Sequence, residues 1–233
     1  MYSSVTNVSP SEVRVKVGGL TPVSCESVFR TAMTKAFSPK QDVFAEGDAK
    51  RSVYRIESGA ACLFKTMADG RRQVFDFAFP GEIIGLSASE SYSCSAQAIG
   101  QLIVKILPIS RLYQLASRDA ELALGLYRSV SSELEATRDL LLTLGQQTAL
   151  ERVAIFLLTL SERYLRTGRN PRLLNIPMTR SDIGDLLGLT IETVSRSLTK
   201  LREQKVIEVI RGSLIQIIDL DGLKVLAGHV SYH

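Results

Sequence analysis

Histidine, cysteine and tryptophan are scarce in this chain of 233 residues, which contains two, three and none of them. Both histidines, His229 and His233, stand at the C-terminal end. A folded core therefore has no histidine for a haem ligand, for a His-based catalytic metal site or for a Ser-His-Asp triad. Since no nucleophile–base pair or metal cluster with the spacing of an active site can be assembled, we expect that the protein is not an enzyme.

The three cysteines, Cys25, Cys62 and Cys94, are odd in number and far apart. This pattern argues against a disulfide framework and agrees with a reducing compartment. No CxxC pair is present, so a zinc site made of cysteines has no support. Three cysteines also fall short of the four ligands that an iron–sulfur cluster needs. We therefore expect no metal and no cluster, and the cysteines to be small buried apolar side chains.

Long hydrophobic runs are missing as well. Val153 to Leu158 is a run of the longest kind in the chain, whereas a membrane helix needs about 20 apolar residues. The N-terminus, Met1 to Pro10, is polar and lacks the apolar segment of a signal peptide, so we expect a cytoplasmic protein without membrane contact. The length fits two domains, and a net charge of +4 permits nucleic-acid binding without requiring it.

Turn signals alternate with β-branched and aromatic residues along residues 40–107. Turns recur about every 8–12 residues, which is typical of an antiparallel sandwich or barrel. Asp69-Gly70 predicts a β-hairpin, and residues 25–38, before this region, predict a short helix. The strand-like runs are 42–44, 52–56, 61–66, 73–79 and 103–107. From Ile109 to Tyr164 the apolar residues recur at helical spacing, with a break at Gly145-Gln146-Gln147.

The helical region contains a heptad seam that lasts about two and a half repeats. Its six residues are Tyr127, Val130, Leu134, Thr137, Leu141 and Leu144. A second apolar set, off this seam, comprises Leu122, Leu126, Leu140 and Leu142. A helix with two apolar faces needs two partners, so we expect one face to pack on the β-rich region and the seam to pack on a second copy of the chain. The alternative is that both faces are buried within one monomer.

A helix-turn-helix pattern follows near the C-terminal end. Thr179 is a candidate N-cap with Asp182 three residues on, which resembles a capping box. Gly188 is a candidate C-cap glycine, and Thr190 begins the next helix after a short turn.

The second helix of this pair can be phased at 100° per residue. Val194, Leu198 and Leu201 then share one face, which we expect to be buried. The opposite face carries Glu192, Ser195, Arg196 and Thr199. The first three are candidate base-reading residues, because a recognition helix meets base edges near its N-terminal end, where Arg bonds guanine and Glu accepts from cytosine. The alternative is that Glu192 and Arg196 form an exposed ion pair one turn apart.

A β-hairpin after the second helix is the expected wing. Residues 206–210 and 214–218 predict its strands, and Arg211-Gly212-Ser213 its tip. Basic and hydroxyl side chains around the two helices and the wing are candidate phosphate contacts: Arg180, Thr199, Lys200 and Arg211. The basic residues among them equally fit a solvated surface.

Three segments together resemble the CRP/FNR superfamily of bacterial transcription regulators. They are Ile191-Glu192-Thr193-Val194-Ser195-Arg196 with the core and wing that follow, Leu150-Glu151-Arg152-Val153-Ala154, and the turn from Pro80-Gly81-Glu82 to Gly85. The resemblance covers roughly residues 25–225. It implies an α+β fold with an N-terminal cyclic-nucleotide-binding-like β-roll, a long dimerisation helix and a C-terminal winged helix-turn-helix. The corresponding divisions are a mobile arm at 1–24, the β-roll at 25–110, the dimerisation helix at 111–146 and the winged helix at 147–233.

The Glu-x-x-Ser-Arg pattern is similar to that of FNR-type readers, which recognise TTGA-type half-sites in an inverted repeat. By this resemblance Arg196 reads the guanine, Glu192 its neighbouring base pairs and Ser195 a thymine. The resemblance also implies double-stranded DNA, a second copy of the chain and RNA polymerase as partners.

The cyclic-nucleotide pocket is where the chain departs from the cyclic-AMP binders of the family. Gly85-Leu86 stands where they have Gly-Glu, and Cys94-Ser95-Ala96 where they have the phosphate-binding Arg-Ser-Ala. No basic residue lies between Arg72 and Lys105, and a buried phosphate without a charge partner is strongly disfavoured. We therefore expect no cyclic-nucleotide binding. Without iron–sulfur ligands either, the chain resembles FixK-type regulators, which carry no built-in cofactor and act in oxygen-limited gene programmes.

Three functions remain open at this point. The first is a homodimeric, cofactor-free DNA-binding regulator, most simply an activator. The second keeps the DNA function and makes the β-roll a sensor of an unidentified small molecule. The third is a β-roll signalling subunit whose winged helix mediates protein contacts only. Salt-dependent binding to a TTGA palindrome separates the third from the first two, and a thermal-shift screen separates the first from the second.

Overall fold

A computed structural model describes residues 26–228. The arm expected at residues 1–24, Cys25 and both histidines lie outside these residues. Within them the chain forms a β-rich unit, three connecting helices and a smaller mixed unit. This order confirms the predicted α+β class with its β-roll and winged helix-turn-helix.

Eight strands, preceded by the short helix α1 (Glu26–Phe29), build the β-rich unit. They are β1 (Met33–Phe37), β2 (Asp42–Phe44), β3 (Ser52–Ser58), β4 (Ala61–Thr66), β5 (Arg72–Ala78), β6 (Ile83–Ile84), β7 (Ser95–Ala98) and β8 (Leu102–Pro108). Two four-stranded sheets result, in the orders β1-β8-β3-β6 and β2-β7-β4-β5. Large side chains from both sheets, such as Phe37, Phe77, Ile56 and Leu102, are almost fully buried. The predicted hairpin at Asp69-Gly70 joins β4 to β5, with Gly70 at a φ of 83° that favours glycine.

The predicted helix at 25–38 is wrong for most of its length. The helix ends at Phe29, and Met33–Phe37 is a strand paired antiparallel with β8 from Met33–Ile106 to Phe37–Leu102. Only Phe37 of this strand is buried, so side-chain burial contributes little to its structure. Hydrogen bonding to the distant strand β8 therefore outweighs the local helical pattern.

Three helices connect the two units: α2 (Ile109–Ala116), α3 (Ala120–Gln146) and α4 (Ala149–Arg166). The segment 111–146 therefore contains two helices, because α2 ends at Ala116 and α3 begins after Asp119. The Asp119 side chain caps α3 by accepting hydrogen bonds from the backbone N–H groups of Glu121 and Leu122. The predicted break before α4 is confirmed. A capping box between Thr148 and Glu151 begins α4.

The two apolar sets of α3 lie in different surroundings. Leu122 is buried, and Leu126 and Leu140 are half-buried against the cores of the molecule. Leu142 does not belong with them: it is 56% exposed. The reason is geometric, because two residues advance a helix by about 200°, so Leu140 and Leu142 point to opposite sides. The heptad seam is exposed in the single chain at all of its positions except Leu144, which is half-buried. The exposed residues are Tyr127, Val130, Leu134, Thr137 and Leu141.

The C-terminal unit consists of three strands and three helices. They are β9 (Leu173–Asn175), α5 (Arg180–Leu187), α6 (Ile191–Glu203), β10 (Ile207–Arg211), β11 (Leu214–Ile217) and α7 (Leu220–Leu226). The strands form one antiparallel sheet in the order β10-β11-β9, so the predicted wing hairpin gains a third strand.

One apolar core continues from the β-rich unit into the C-terminal unit. Cys62 and Val74 of the first unit belong to the same buried cluster as Leu157 of the connecting helix α4 and Leu187 of the C-terminal unit. Between residues 26 and 228, none of the helices is both long enough and apolar enough to cross a membrane.

Candidate DNA-binding site

The predicted capping residues bound helix α5 at both ends. Thr179 Oγ1 accepts from the backbone N–H of Asp182 at 3.1 Å, and Asp182 Oδ2 accepts from the backbone N–H of Thr179 at 2.9 Å. Gly188 ends the helix in the left-handed conformation, with a φ of 62°. The turn then folds back tightly, because a Cβ at Gly184 would stand 2.5 Å from the carbonyl oxygen of Leu189. A glycine at 184 is thus required for the close approach of the two helices.

Helix α6 begins at Thr190, whose side chain accepts from the backbone N–H of Thr193 at 3.2 Å. Val194, Leu198 and Leu201 are buried, which confirms the predicted phase of the helix. This face packs on α4 and α5. The opposite face is consequently turned to solvent.

Glu192, Ser195, Arg196 and Thr199 are exposed together on that face. Ser195 Oγ donates to the carbonyl of Ile191 at 2.8 Å, and Arg196 Nη2 donates weakly to Thr193 Oγ1 at 3.4 Å. These contacts are local, and they leave the outer edge of the helix accessible to a large partner.

The ion pair between Glu192 and Arg196 does not occur among the salt bridges of residues 26–228. The pKa of Glu192 is lowered first by a hydrogen bond from its own backbone N–H, then by the Thr190 hydroxyl, and least by the charge of Arg196. The start of α6 therefore lowers the pKa of this carboxyl more than Arg196 does. An acceptor and a guanidinium are presented side by side.

The candidate phosphate contacts lie in two places. Arg180, at the start of α5, is half-buried and lines a surface depression together with Ser195, Thr199 and Arg202. Partial burial lowers the pKa of Arg180. Lys200, next to Thr199, is exposed on α6. Sequence reasoning did not include Arg202 among the candidate phosphate contacts. Its position three residues after Thr199 places both residues on one face of α6, which is a signal that the sequence does carry.

Arg211 stands apart from this group. It is exposed at the end of β10, where the wing turns at Gly212 with a φ of 41°. The wing therefore carries one basic side chain at its tip, separate from the face of α6.

Arg152 has a positioning role that sequence reasoning did not assign. From the first turn of α4, its guanidinium donates to the carbonyl of Leu144 at 2.7 Å and to the carbonyl of Leu187 at 3.0 Å. Its Nε donates to the carbonyl of Gln147 at 3.0 Å. One side chain thus satisfies carbonyls at the ends of α3 and α5, which fixes the C-terminal end of α5 against the connecting helices.

A cavity of about 100 Å³ opens between the β-rich unit and α3. Gly85, Leu86 and Cys94, the residues that depart from the cyclic-AMP pattern, all line it. Burial raises the pKa of Cys94 to about 11, so this thiol stays neutral. The charged side chains of the described wall are all acidic: Asp76, Glu82 and Glu133. No described residue of this wall is basic, so a cyclic phosphate finds no charge partner there.

A second cavity, of about 210 Å³, lies where the two units meet. Side chains from β5, α3, α4 and α5 line it, and Phe156, Leu160 and Leu187 make its wall mainly apolar. Its charged lining residues are Asp76, Glu133 and Arg163.

Comparisons with known proteins agree with both halves of this architecture. The profile of the cyclic nucleotide-binding domain matches residues 34–119, and that of the Crp-like helix-turn-helix domain matches residues 151–226. The chain therefore belongs to the CRP/FNR family of transcription regulators, and it has the helix-turn-helix of a DNA-binding regulator.

Within that family the chain is similar to FixK proteins, as predicted. It is 35% identical over 226 residues to the nitrogen fixation regulation protein FixK of Rhizobium meliloti, with 97% of this chain and 99% of the relative covered. The transcriptional activatory protein AadR of Rhodopseudomonas palustris is 36% identical over 193 residues, 83% of this chain and 81% of the relative. The structure of FixK2 from Bradyrhizobium japonicum superposes with a TM-score of 0.79 at 33% identity, covering 87% of this chain and 99% of that one.

Proposed function

We propose that this protein is a homodimeric transcription activator that recognises a TTGA-type inverted repeat in oxygen-limited gene expression, without a bound cofactor. Its proposed partners in the cytoplasm are double-stranded DNA, a second copy of the chain and RNA polymerase. The observation that carries the proposal is the exposed face of α6, which presents Glu192, Ser195 and Arg196 opposite its buried face. The similarity to FixK and AadR supports the activator role.

Each residue of that face has a defined task in the proposal. Arg196 bonds the O6 and N7 atoms of guanine, Glu192 accepts from the amino group of a neighbouring cytosine, and Ser195 contacts a thymine. The proposed phosphate contacts are Arg180, Thr199, Lys200 and Arg211. Their positions around α6 and at the wing tip fit a helix that lies in the major groove with backbone on both sides.

The proposed dimer uses the seam of α3. Tyr127, Val130, Leu134 and Leu141 are 51–69% exposed in the single chain. A row of large apolar side chains along a helix of 27 residues is typical of a surface that a second protein covers. The equivalent row of a second copy fits it, because heptad seams pair with themselves.

Regulation without a cyclic nucleotide is supported by the wall of the smaller cavity. Its described residues include neither lysine nor arginine, so a cyclic phosphate would lack a charge partner there. We accordingly propose that DNA binding needs no ligand.

A second candidate keeps the DNA function and adds sensing of an unidentified small molecule. The cavity of about 210 Å³ favours it, since mainly apolar cavities of this kind between two units are common ligand sites. A thermal-shift screen of small amphipathic compounds tests this candidate, because a ligand that binds only the folded state raises the melting temperature.

The main proposal is tested by fluorescence anisotropy with a TTGA palindrome and a scrambled duplex, in the absence of ligands and at several salt concentrations. The three cationic phosphate contacts in each protomer, Arg180, Lys200 and Arg211, predict a slope of about −5 for log K against log salt on the palindrome. Equal affinity for the two duplexes contradicts the proposed site. Absence of binding to either duplex favours a signalling subunit that makes protein contacts only.

A further inference from the structure

The β-rich unit contacts the helix-turn-helix directly through the start of β5. Arg72 Nη2 lies 2.7 Å from Asp182 Oδ1, and Gln73 Nε2 donates to the backbone carbonyl of Asp185 at 2.7 Å. The residues in each contact are 110 or more positions apart in the chain. A strand of one unit thus holds the first helix of the DNA-binding pair.

Arg72 is fixed from its own side before it meets this helix. Its guanidinium lies 4.6 Å from the centre of the Phe64 ring, and its Nη2 lies 3.1 Å from Cys62 Sγ. Stacking on an aromatic face restricts the guanidinium without removing its hydrogen-bond donors. Arg72 is therefore oriented by β4, the strand that pairs with β5.

Asp182 is fixed from the side of the helix-turn-helix. Its Oδ2 accepts from the backbone N–H of Thr179 at 2.9 Å and from the Thr179 hydroxyl at 2.7 Å, which leaves Oδ1 for Arg72. The side chains of Arg72 and Asp182 are 29% and 17% exposed. An ion pair between two such pre-oriented and half-buried groups loses less to side-chain entropy and screening than an exposed pair.

The contact controls the end of α5 that Arg152 does not reach. Arg152 holds the last turn of α5 through the carbonyl of Leu187, whereas Arg72 holds the first turn through Asp182. Helix α5 packs directly on α6. The exposed face of α6 takes no part in these contacts, so α5 is held while the proposed reading face stays open.

We propose that Arg72 is a positioning residue for DNA binding, which sets the orientation of α5 and, through it, of α6. This inference rests on the proposed function. Two recognition helices of a dimer must reach successive major grooves about one helical turn apart. If the orientation of these helices is already set in the free protein, less conformational entropy is lost when the dimer binds both half-sites.

The test compares Arg72→Ala with Arg71→Ala. Both substitutions remove one positive charge, but Arg71 is 82% exposed at the hairpin and pairs only with the neighbouring Asp69 among the ion pairs of the described chain. We expect Arg72→Ala to weaken binding to the full palindrome by about tenfold and binding to a single half-site by less than about threefold. Arg71→Ala should change both by less than about twofold, and Arg72→Lys should restore part of the loss.

This pattern separates positioning from damage to the fold. A variant that folds less well loses active protein, so its apparent affinities for the palindrome and the half-site fall by the same factor. Equal losses, or the same affinities for Arg72→Ala and Arg71→Ala, overturn the inference.

Hydrogen exchange without DNA keeps this test independent of the proposed function. Mass spectrometry should show faster amide exchange over residues 180–187 in Arg72→Ala than in Arg71→Ala, since the first turn of α5 loses its contact with β5. Should the wild-type protein prefer no DNA sequence while this difference persists, the proposed function fails and the contact stands. Should the wild type bind its site while exchange is unchanged, the inference about Arg72 fails alone.

Discussion

Arg163 of α4 and Asp76 of β5 form an ion pair of 2.7 Å between Nη2 and Oδ1, where the two units of the molecule meet. Arg163 is only 5% exposed, and it also donates to the carbonyl of Phe77 and lies 3.6 Å from Glu82. One buried guanidinium thus faces two carboxylates. Burial raises the pKa of Glu82 to about 7, while the charge of Arg163 opposes this rise.

The protein should lose stability as the pH rises from about 4.5 to 7. Glu82 in the folded state keeps its proton above the ordinary value of 4.5, so the folded protein binds more protons than the unfolded chain in this range. Neutral Glu82 contributes fully to the free energy of unfolding below the pKa that this group has in the unfolded chain. This contribution is lost as the pH rises through the higher pKa that the group has in the folded protein. Urea unfolding should show the free energy of unfolding falling by about 2 kcal/mol through this group.

The substitution Glu82→Gln should flatten this dependence, because glutamine stays neutral and still accepts from the backbone N–H of Phe79, as Glu82 Oε2 does at 2.9 Å. Glu90→Gln is the matched control, since Glu90 is exposed. Parallel stability curves for wild type and Glu82→Gln from pH 5 to 8 would contradict the role of Glu82.

Replacing Leu134 and Leu141 together by Ala should shift the protein toward monomer. Both side chains lie on the seam and are more than half exposed in the single chain. If a second copy covers them, each truncation leaves a cavity that costs about 2–5 kcal/mol at a fully buried site. Sedimentation should show a dimer dissociation constant raised by at least about tenfold, and binding to a palindrome should weaken more than binding to a half-site.

Leu124 and Leu142 provide the control for this variant. They are 47% and 56% exposed on the same helix, but they lie about 110° from the centre of the seam. Ala at both positions should leave the dimer intact. A tight dimer that survives the loss of Leu134 and Leu141 removes the seam from the interface.

Cyclic AMP at millimolar concentration should change neither the melting temperature nor the affinity for DNA. Leu86 and Cys94 stand where a carboxylate and a guanidinium are expected in a cyclic-AMP binder, and the described residues of the cavity wall they share include no basic side chain. Differential scanning fluorimetry measures the melting temperature, fluorescence anisotropy measures the affinity for DNA, and calorimetry measures the heat of cyclic-AMP binding. A saturable heat of binding would show that the phosphate finds a charge partner elsewhere.

Sequence reasoning succeeded where local rules decide the structure. The caps at Thr179, Gly188 and Thr190 and the apolar phase of α6 depend on neighbouring residues, and the sequence predicts each of them. The strand at Met33–Phe37 was predicted as helix, because its structure comes from pairing with β8. The short strands β6 and β9 have two and three residues, too few for a periodic signal.

The contacts between the two units were also beyond local reasoning. Arg72 and Asp182 meet across 110 positions of the chain, and Arg163 reaches Asp76 across 87. Nothing in the spacing of such residues marks them as partners. From the sequence alone, charged residues such as these are expected on the surface, and only the tertiary fold brings them together in partly buried pairs.

Arg196 and Arg211 should respond differently to replacement by Ala, since one faces the proposed major groove and the other stands on the wing tip. A bidentate base contact contributes about 1–3 kcal/mol of discrimination, whereas a phosphate contact adds affinity without sequence information. Arg196→Ala should bring the affinity for a TTGA palindrome close to that for scrambled DNA. Arg211→Ala should weaken both by similar factors and reduce the salt slope by about one for each half-site.

Anisotropy titrations of both variants against both duplexes measure these differences directly. The absence of an ion pair between Glu192 and Arg196 in the described chain means that Arg196→Ala removes no salt bridge from α6, so a loss of preference is not explained by damage to the helix. Circular dichroism should confirm that the helix content is unchanged. If Arg196→Ala keeps the full preference for its site, Arg196 is not a base reader, and the specificity must come from other side chains of α6 or from the shape of the DNA.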